Sequence, residues 1–78
     1  MEHQDKPFDR ITIDPAVCFG KARVRGTRVT VEFVLKLMSN GYDAKDIVHA
    51  YPELTPDDVF QCASYGAWLA SDRLISID

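Results

Sequence analysis

A chain of 78 residues allows one small domain. Its 46% hydrophobic and 27% charged content argues against disorder. A formal net charge of −3 argues against a generic nucleic-acid binder, and no apolar run approaches membrane-spanning length.

The charge is unevenly distributed. Residues 19–30 carry Lys21, Arg23, Arg25 and Arg28 and no acid, whereas residues 31–78 carry eight acids against three bases. A basic front and an acidic back suit a homodimer or higher homo-oligomer, or two separate partners. Residues 1–9 read as a polar arm, 10–74 as one helical domain with a β-hairpin, and 75–78 as a short C-terminal tail. The arm has no apolar segment of the kind a signal peptide needs. Cys18 and Cys62 lie far apart with no CxxC or His/Cys cluster, so they read as free thiols in a reducing cytoplasm. No metal and no cofactor is expected.

In chain order, Arg10-Ile11-Thr12-Ile13 alternates polar and apolar residues, as a short strand does. Asp14-Pro15 ends it. Val17, Cys18 and Phe19 read as a small apolar knot before Gly20. Gly26-Thr27 then fits the two central positions of a type II′ hairpin turn, with Gly first. That register sets Arg25 opposite Arg28 and Val24 opposite Val29, and gives Lys21, Arg23, Arg25 and Arg28 one face. Like charges across a ladder destabilise it, so these four are expected to meet an anion. It is a carboxylate of this chain, an acidic protein surface or a phosphate. Carboxylate is favoured, with Asp57 and Asp58 among the candidates.

Thr30 suits the N-cap of a helix over Val31–Ser39, with Val31, Val34, Leu35 and Met38 on one stripe and Asn40-Gly41 as its stop. Asp43 caps a second helix to about Ala50, with Asp46 completing a weak capping-box pattern. Thr55-Pro56-Asp57-Asp58 is the clearest start signal, for a third helix reaching about Asp72. Its inward stripe is expected to hold Val59, Phe60, Cys62, Ala63, Gly66, Ala67 and Ala70, small enough for another helix to approach closely. The opposite face sets Tyr65 and Trp68, with Leu69 at the edge, among polar residues. They are expected at a subunit or partner interface, or under another segment of the same chain. The fold class is mainly α: a small N-terminal β-hairpin, then a three-helix, helix-turn-helix-like core of winged-helix or homeodomain type.

No catalytic residue stands out. Cys18 has no neighbouring His, His3 and His49 sit at polar positions, and Asp57 and Asp58 are helix-start residues. The first turn of a DNA-reading helix would meet phosphate with those two acids, which repel it. The basic hairpin is the better candidate for any DNA contact.

The segments Ile11-Thr12-Ile13-Asp14-Pro15, Cys18-Phe19-Gly20-Lys21 and Arg25-Gly26-Thr27-Arg28-Val29 resemble the domain-of-unknown-function 433 family, also described as VapB-like antitoxins. Val34-Leu35, Gly41, Asp46-Ile47, Tyr51-Pro52-Glu53-Leu54-Thr55, Asp58-Val59 and Tyr65 followed by Ala67 extend the match. Residue 22 is Ala where the family commonly has Pro. The resemblance implies the non-catalytic antitoxin half of a type II toxin–antitoxin pair. It would bind and inhibit a PIN-like ribonuclease toxin and repress its own promoter by binding operator DNA. The alternatives are a stand-alone DNA-binding repressor and an oligomeric scaffold with no nucleic-acid role.

Overall fold

The computed structural model of the chain describes residues 8–72. The first seven positions of the expected polar arm and the expected tail at 75–78 lie outside them.

Each helix begins where a side chain satisfies backbone N–H groups that the helix itself leaves free. Thr30 opens α1 (Val31–Ser39), its hydroxyl accepting from the Phe33 N–H at 3.1 Å. Asn40 and Gly41 close it, with Gly41 at φ +95°, where only glycine is unstrained. Asp43 and Asp46 form a full capping box on α2 (Ala44–Ala50), at 2.9 and 3.1 Å. Thr55 and Asp58 form a second box on α3 (Pro56–Asp72). The Asp58 N–H donates to Thr55 Oγ1 at 3.2 Å, and the Thr55 N–H donates to Asp58 Oδ2 at 2.9 Å.

Two short strands precede the helices. β1 (Ile11–Thr12) pairs antiparallel with β2 (Arg23–Val24), in the register Ile11↔Val24 and Thr12↔Arg23. The other edge of β2 bridges Arg23 to Thr30. There the Val24 N–H donates to Val29 O, and the Val31 N–H to Ala22 O, both at 2.9 Å. Val24 therefore faces Val29, as the sequence suggests, but the basic stretch is the middle of a small sheet, not a free hairpin.

The turn also differs from the expected type II′. The Thr27 N–H donates to Val24 O at 3.0 Å, so the turn starts at Val24 and puts Gly26 third, at φ +81°. Positive φ at the third position is the mark of a type II turn. The Thr27 hydroxyl decides it, donating to Val24 O at 2.9 Å while accepting from the Val29 N–H at 3.0 Å.

The core joins all of these elements: Ile11, Val24, Val31, Val34, Ile47, Leu54, Val59 and Cys62 are buried together. Leu54 plugs it from the α2–α3 linker, and Tyr51 sets its ring edge-on to Phe33 at 5.4 Å. α3 comes close to α1 at Gly66, where a Cβ would stand 2.8 Å from Leu35 Cδ1. This close approach is what the small residues of α3 lead one to expect. The molecule is mainly helical, with three helices and a small N-terminal antiparallel two-stranded element.

Two packing expectations are overturned. Phe60 is 59% exposed, and Ala67 and Ala70 also face out, so the buried line of α3 runs through Asp58, Val59 and Cys62 toward Gly66. The Arg10 contact draws Asp58 inward and turns Phe60 away. Phe19, expected in an apolar knot, is 98% exposed. Among the described residues no helix is long and apolar enough to cross a membrane.

Candidate functional site: the basic loop and the adjoining groove

β2 and its turn carry the basic residues, but strand alternation governs only Lys21 and Arg23. Arg25 and Arg28 sit in the turn. Lys21 is diverted to Glu32 on α1, Nζ to Oε1 at 2.7 Å. That hydrogen bond, with the attraction of opposite charges, raises the Lys21 pKa and lowers that of Glu32. Arg23 folds along its own turn, Nη1 donating to Thr27 O at 2.8 Å. Its Nε is buried with no hydrogen-bond partner among the described residues. Arg25 Nε donates to the Asp9 carbonyl at 2.9 Å, and Arg28 is exposed. No described carboxylate forms an ion pair with Arg23, Arg25 or Arg28. Among the described residues the four cations share no carboxylate: Lys21 pairs with Glu32, Arg23 lies half-buried along the turn, and Arg25 and Arg28 are exposed.

The expectation that Asp58 answers this loop is corrected by Arg10, which sequence reasoning missed. Arg10 Nε lies 2.7 Å from Asp58 Oδ1, with the Asp58 side chain fully buried and that of Arg10 37% exposed. Burial by itself pushes the Asp58 carboxyl up. Hydrogen bonds from Arg10 and Thr55 outweigh it and hold the group below the usual carboxylate range. Arg10 is raised in turn, first by that hydrogen bond and then by the charge of Asp58. The same guanidinium reaches the loop, Nη2 donating to Arg25 O at 3.4 Å. Gln61 completes the clasp: it accepts from the Arg10 N–H at 2.9 Å and donates to Asp9 Oδ1 at 2.9 Å and Asp57 Oδ2 at 3.0 Å. The first turns of α3 are thus tied to β1. Nothing local in the sequence links residues 10 and 58; the only signal was an Arg heading an alternating run.

On the other side of β2 an open groove of about 670 Å³ runs between α1 and α3. Ile13, Leu35, Tyr65 and Leu69 give it apolar walls, and Lys21 and Glu32 stand at its rim. Two of the three expected interface residues, Tyr65 and Leu69, therefore meet in one concavity. Trp68 lies beside it. Phe8 packs against Tyr65 at 5.3 Å and Trp68 at 5.7 Å, so this chain's own N-terminal segment covers part of that face. Trp68 stays 52% exposed.

Burial, aided by Asp58, pushes the Cys62 thiol up to about 11, which removes it as a nucleophile at neutral pH. Among the described residues no three His, Cys, Asp or Glu side chains gather into a metal-holding group.

The sequence profile of the family of proteins of unknown function DUF433 matches residues 11–66. This chain belongs to the DUF433 family. The matched span runs from β1 to Gly66 on α3 and takes in the basic loop, Asp58 and Gln61, while Arg10 lies just before it. A crystal structure of a DUF433 member from Anabaena variabilis is 32% identical and superposes with a TM-score of 0.74. The alignment covers 81% of this chain and 62% of that one, so this chain spans less than two-thirds of the relative's length. Comparison with curated proteins gave no match.

Within DUF433, the motif pieces that carry the resemblance are chiefly structural here. Tyr51 packs on Phe33, Leu54 fills the core, Thr55 caps α3, and Gly26 and Thr27 shape the turn. Arg25 and Arg28 are exposed, as are the motif residues Phe19, Lys21, Pro52 and Glu53.

Proposed function

We propose that this DUF433 chain is a non-catalytic, antitoxin-like regulator acting in the cytoplasm, which binds and inhibits a PIN-like ribonuclease toxin through the Arg23–Arg25–Arg28 loop. The observation that carries the reading is the loop itself. Two exposed guanidiniums, Arg25 and Arg28, stand on the turn with the half-buried Arg23 at its base, without an ion-paired carboxylate among the described residues, on a backbone braced by Thr27 and Arg10. A pre-ordered cationic loop steers association with an acidic surface and forks hydrogen bonds onto its carboxylates. Holding the loop in place beforehand lowers the ordering cost of binding.

Autorepression is a second role for the same loop, because guanidinium forks onto phosphate as readily as onto carboxylate. A stand-alone repressor reading through α3 is supported less well. The first turn of α3 carries Asp57 and Asp58 and is clasped by Gln61 and Arg10. The test is co-expression with a PIN-like nuclease encoded beside this chain. Growth arrest by the nuclease alone, relieved by the chain, with co-purification of the two, is the expected result. A neighbour that is not toxic, or toxicity that persists without co-purification, refutes the reading.

A further inference from the structure

We propose that Phe19 is the knob of a two-fold homodimer contact, seated in the α1–α3 groove of a second copy of this chain. Phe19 is the most exposed large apolar side chain among the described residues, at 98%. The backbone holds it out at a cost. Cys18, Phe19 and Gly20 take φ of +52°, +57° and +77°, and the left-handed region is unfavourable for the first two. Hydrogen bonds from Gly20 N–H to Val17 O at 3.0 Å and from Lys21 N–H to Cys18 O at 3.1 Å fix the turn. Glycine at position 19 would take this conformation without strain. A phenyl ring there gains nothing within the monomer.

A receptor for it lies beside it. Gly20 and Lys21, the next two residues, form one wall of the 670 Å³ groove. A knob next to its own hole is what reciprocal exchange across a two-fold axis uses. Charge agrees with a second copy. The rim carries both signs: Lys21 and Glu32, 2.7 Å apart and each more than half exposed, and the exposed Lys36 one turn further along α1. A mixed rim complements itself when rotated onto a copy. The arginine loop, uniformly positive, repels itself in the same operation.

The area suffices for a weak dimer. An aromatic side chain buries roughly 150–250 Å². Ile13, Trp68 and Leu69 add surface at 57%, 52% and 42% exposure. Covering these on both copies removes on the order of 1,000 Å², at the low end of specific interfaces. Such a small interface makes a weak dimer, to be sought at concentrations up to several hundred micromolar.

The test is sedimentation velocity of the purified full chain, with no nuclease or nucleic acid present, so its outcome is independent of the antitoxin reading. Wild type is expected to pass from monomer to dimer with rising concentration. Phe19→Gly removes the knob and Leu69→Glu charges the groove; each is expected to weaken association at least tenfold. Phe19→Gly is expected to leave the thermal midpoint of the dilute monomer unchanged or raised, which separates loss of contact from loss of fold. Mixing the two variants restores one knob-and-groove pair, so a heterodimer is expected where neither variant self-associates. A wild type that stays monomeric at several hundred micromolar overturns the proposal. So does a dimer that both variants leave intact, or a mixture that does not associate.

Discussion

Asp58 is fully buried yet keeps its charge, because Arg10 and the Thr55 N–H answer both carboxylate oxygens. Its folded pKa lies below its unfolded value. Such a group contributes stability that is complete above the unfolded carboxylate pKa of about 3.9 and lost as pH falls through the folded value. Urea midpoints are therefore expected to hold steady from neutral pH to about 5 and to drop below about 4. Asp58→Asn should flatten part of that acid limb; an acid limb identical to wild type counts against the assignment. Arg10→Met leaves a buried carboxylate without its cation. The pair is partly open to water, which tempers the cost to about 1–3 kcal/mol at pH 7. The deficit should shrink as the pH falls and Asp58 takes up a proton. A deficit independent of pH would mean that Arg10 acts by packing alone.

At the scale of elements, caps and close contacts decide the geometry. Thr55→Ala removes one half of the α3 capping box and should cost about 1 kcal/mol by chemical denaturation. Gly66→Val brings branched carbons onto Leu35 and should separate α1 from α3, lowering stability by about 1–3 kcal/mol. A stability equal to wild type would mean that the two helices reseat freely. The three helices were legible in the sequence because their start and stop signals are local. Thr30, Asp43 and Thr55 each cap within three residues of their own position. The strand pairing was half legible. Val24 opposite Val29 follows from short-range alternation, but β1 on β2 joins residues across a ten-residue connection whose path no local signal dictates. Phe60 was misplaced because a 3.6-residue period gives a stripe without saying which side of it a long-range contact will pull inward. Arg10 on Asp58, 48 residues away, is such a contact.

Across the whole molecule, the charge split becomes a division of surfaces. Arg25 and Arg28 stand on the turn after β2, acids gather in the first turns of α2 and α3, and the apolar groove lies between α1 and α3. Salt dependence separates the two anions that the loop can take. Three phosphate contacts give a log–log slope near −3, because each releases condensed counterions. A carboxylate surface, partly buried on contact, gives a shallower dependence over the same range. Binding of the PIN-like nuclease is expected to follow the shallower course, and any operator DNA binding the steeper one. Equal slopes for both would remove the distinction between the two surfaces. The most direct test of the regulatory reading is inhibition of the purified neighbouring nuclease on an RNA substrate. It compares the wild-type chain with the double variant Arg25→Ala, Arg28→Ala, after circular dichroism has shown the two to be folded alike. The account predicts stoichiometric inhibition by wild type and at least a tenfold loss in the variant. Inhibition unchanged in the variant, or none by wild type, would contradict it.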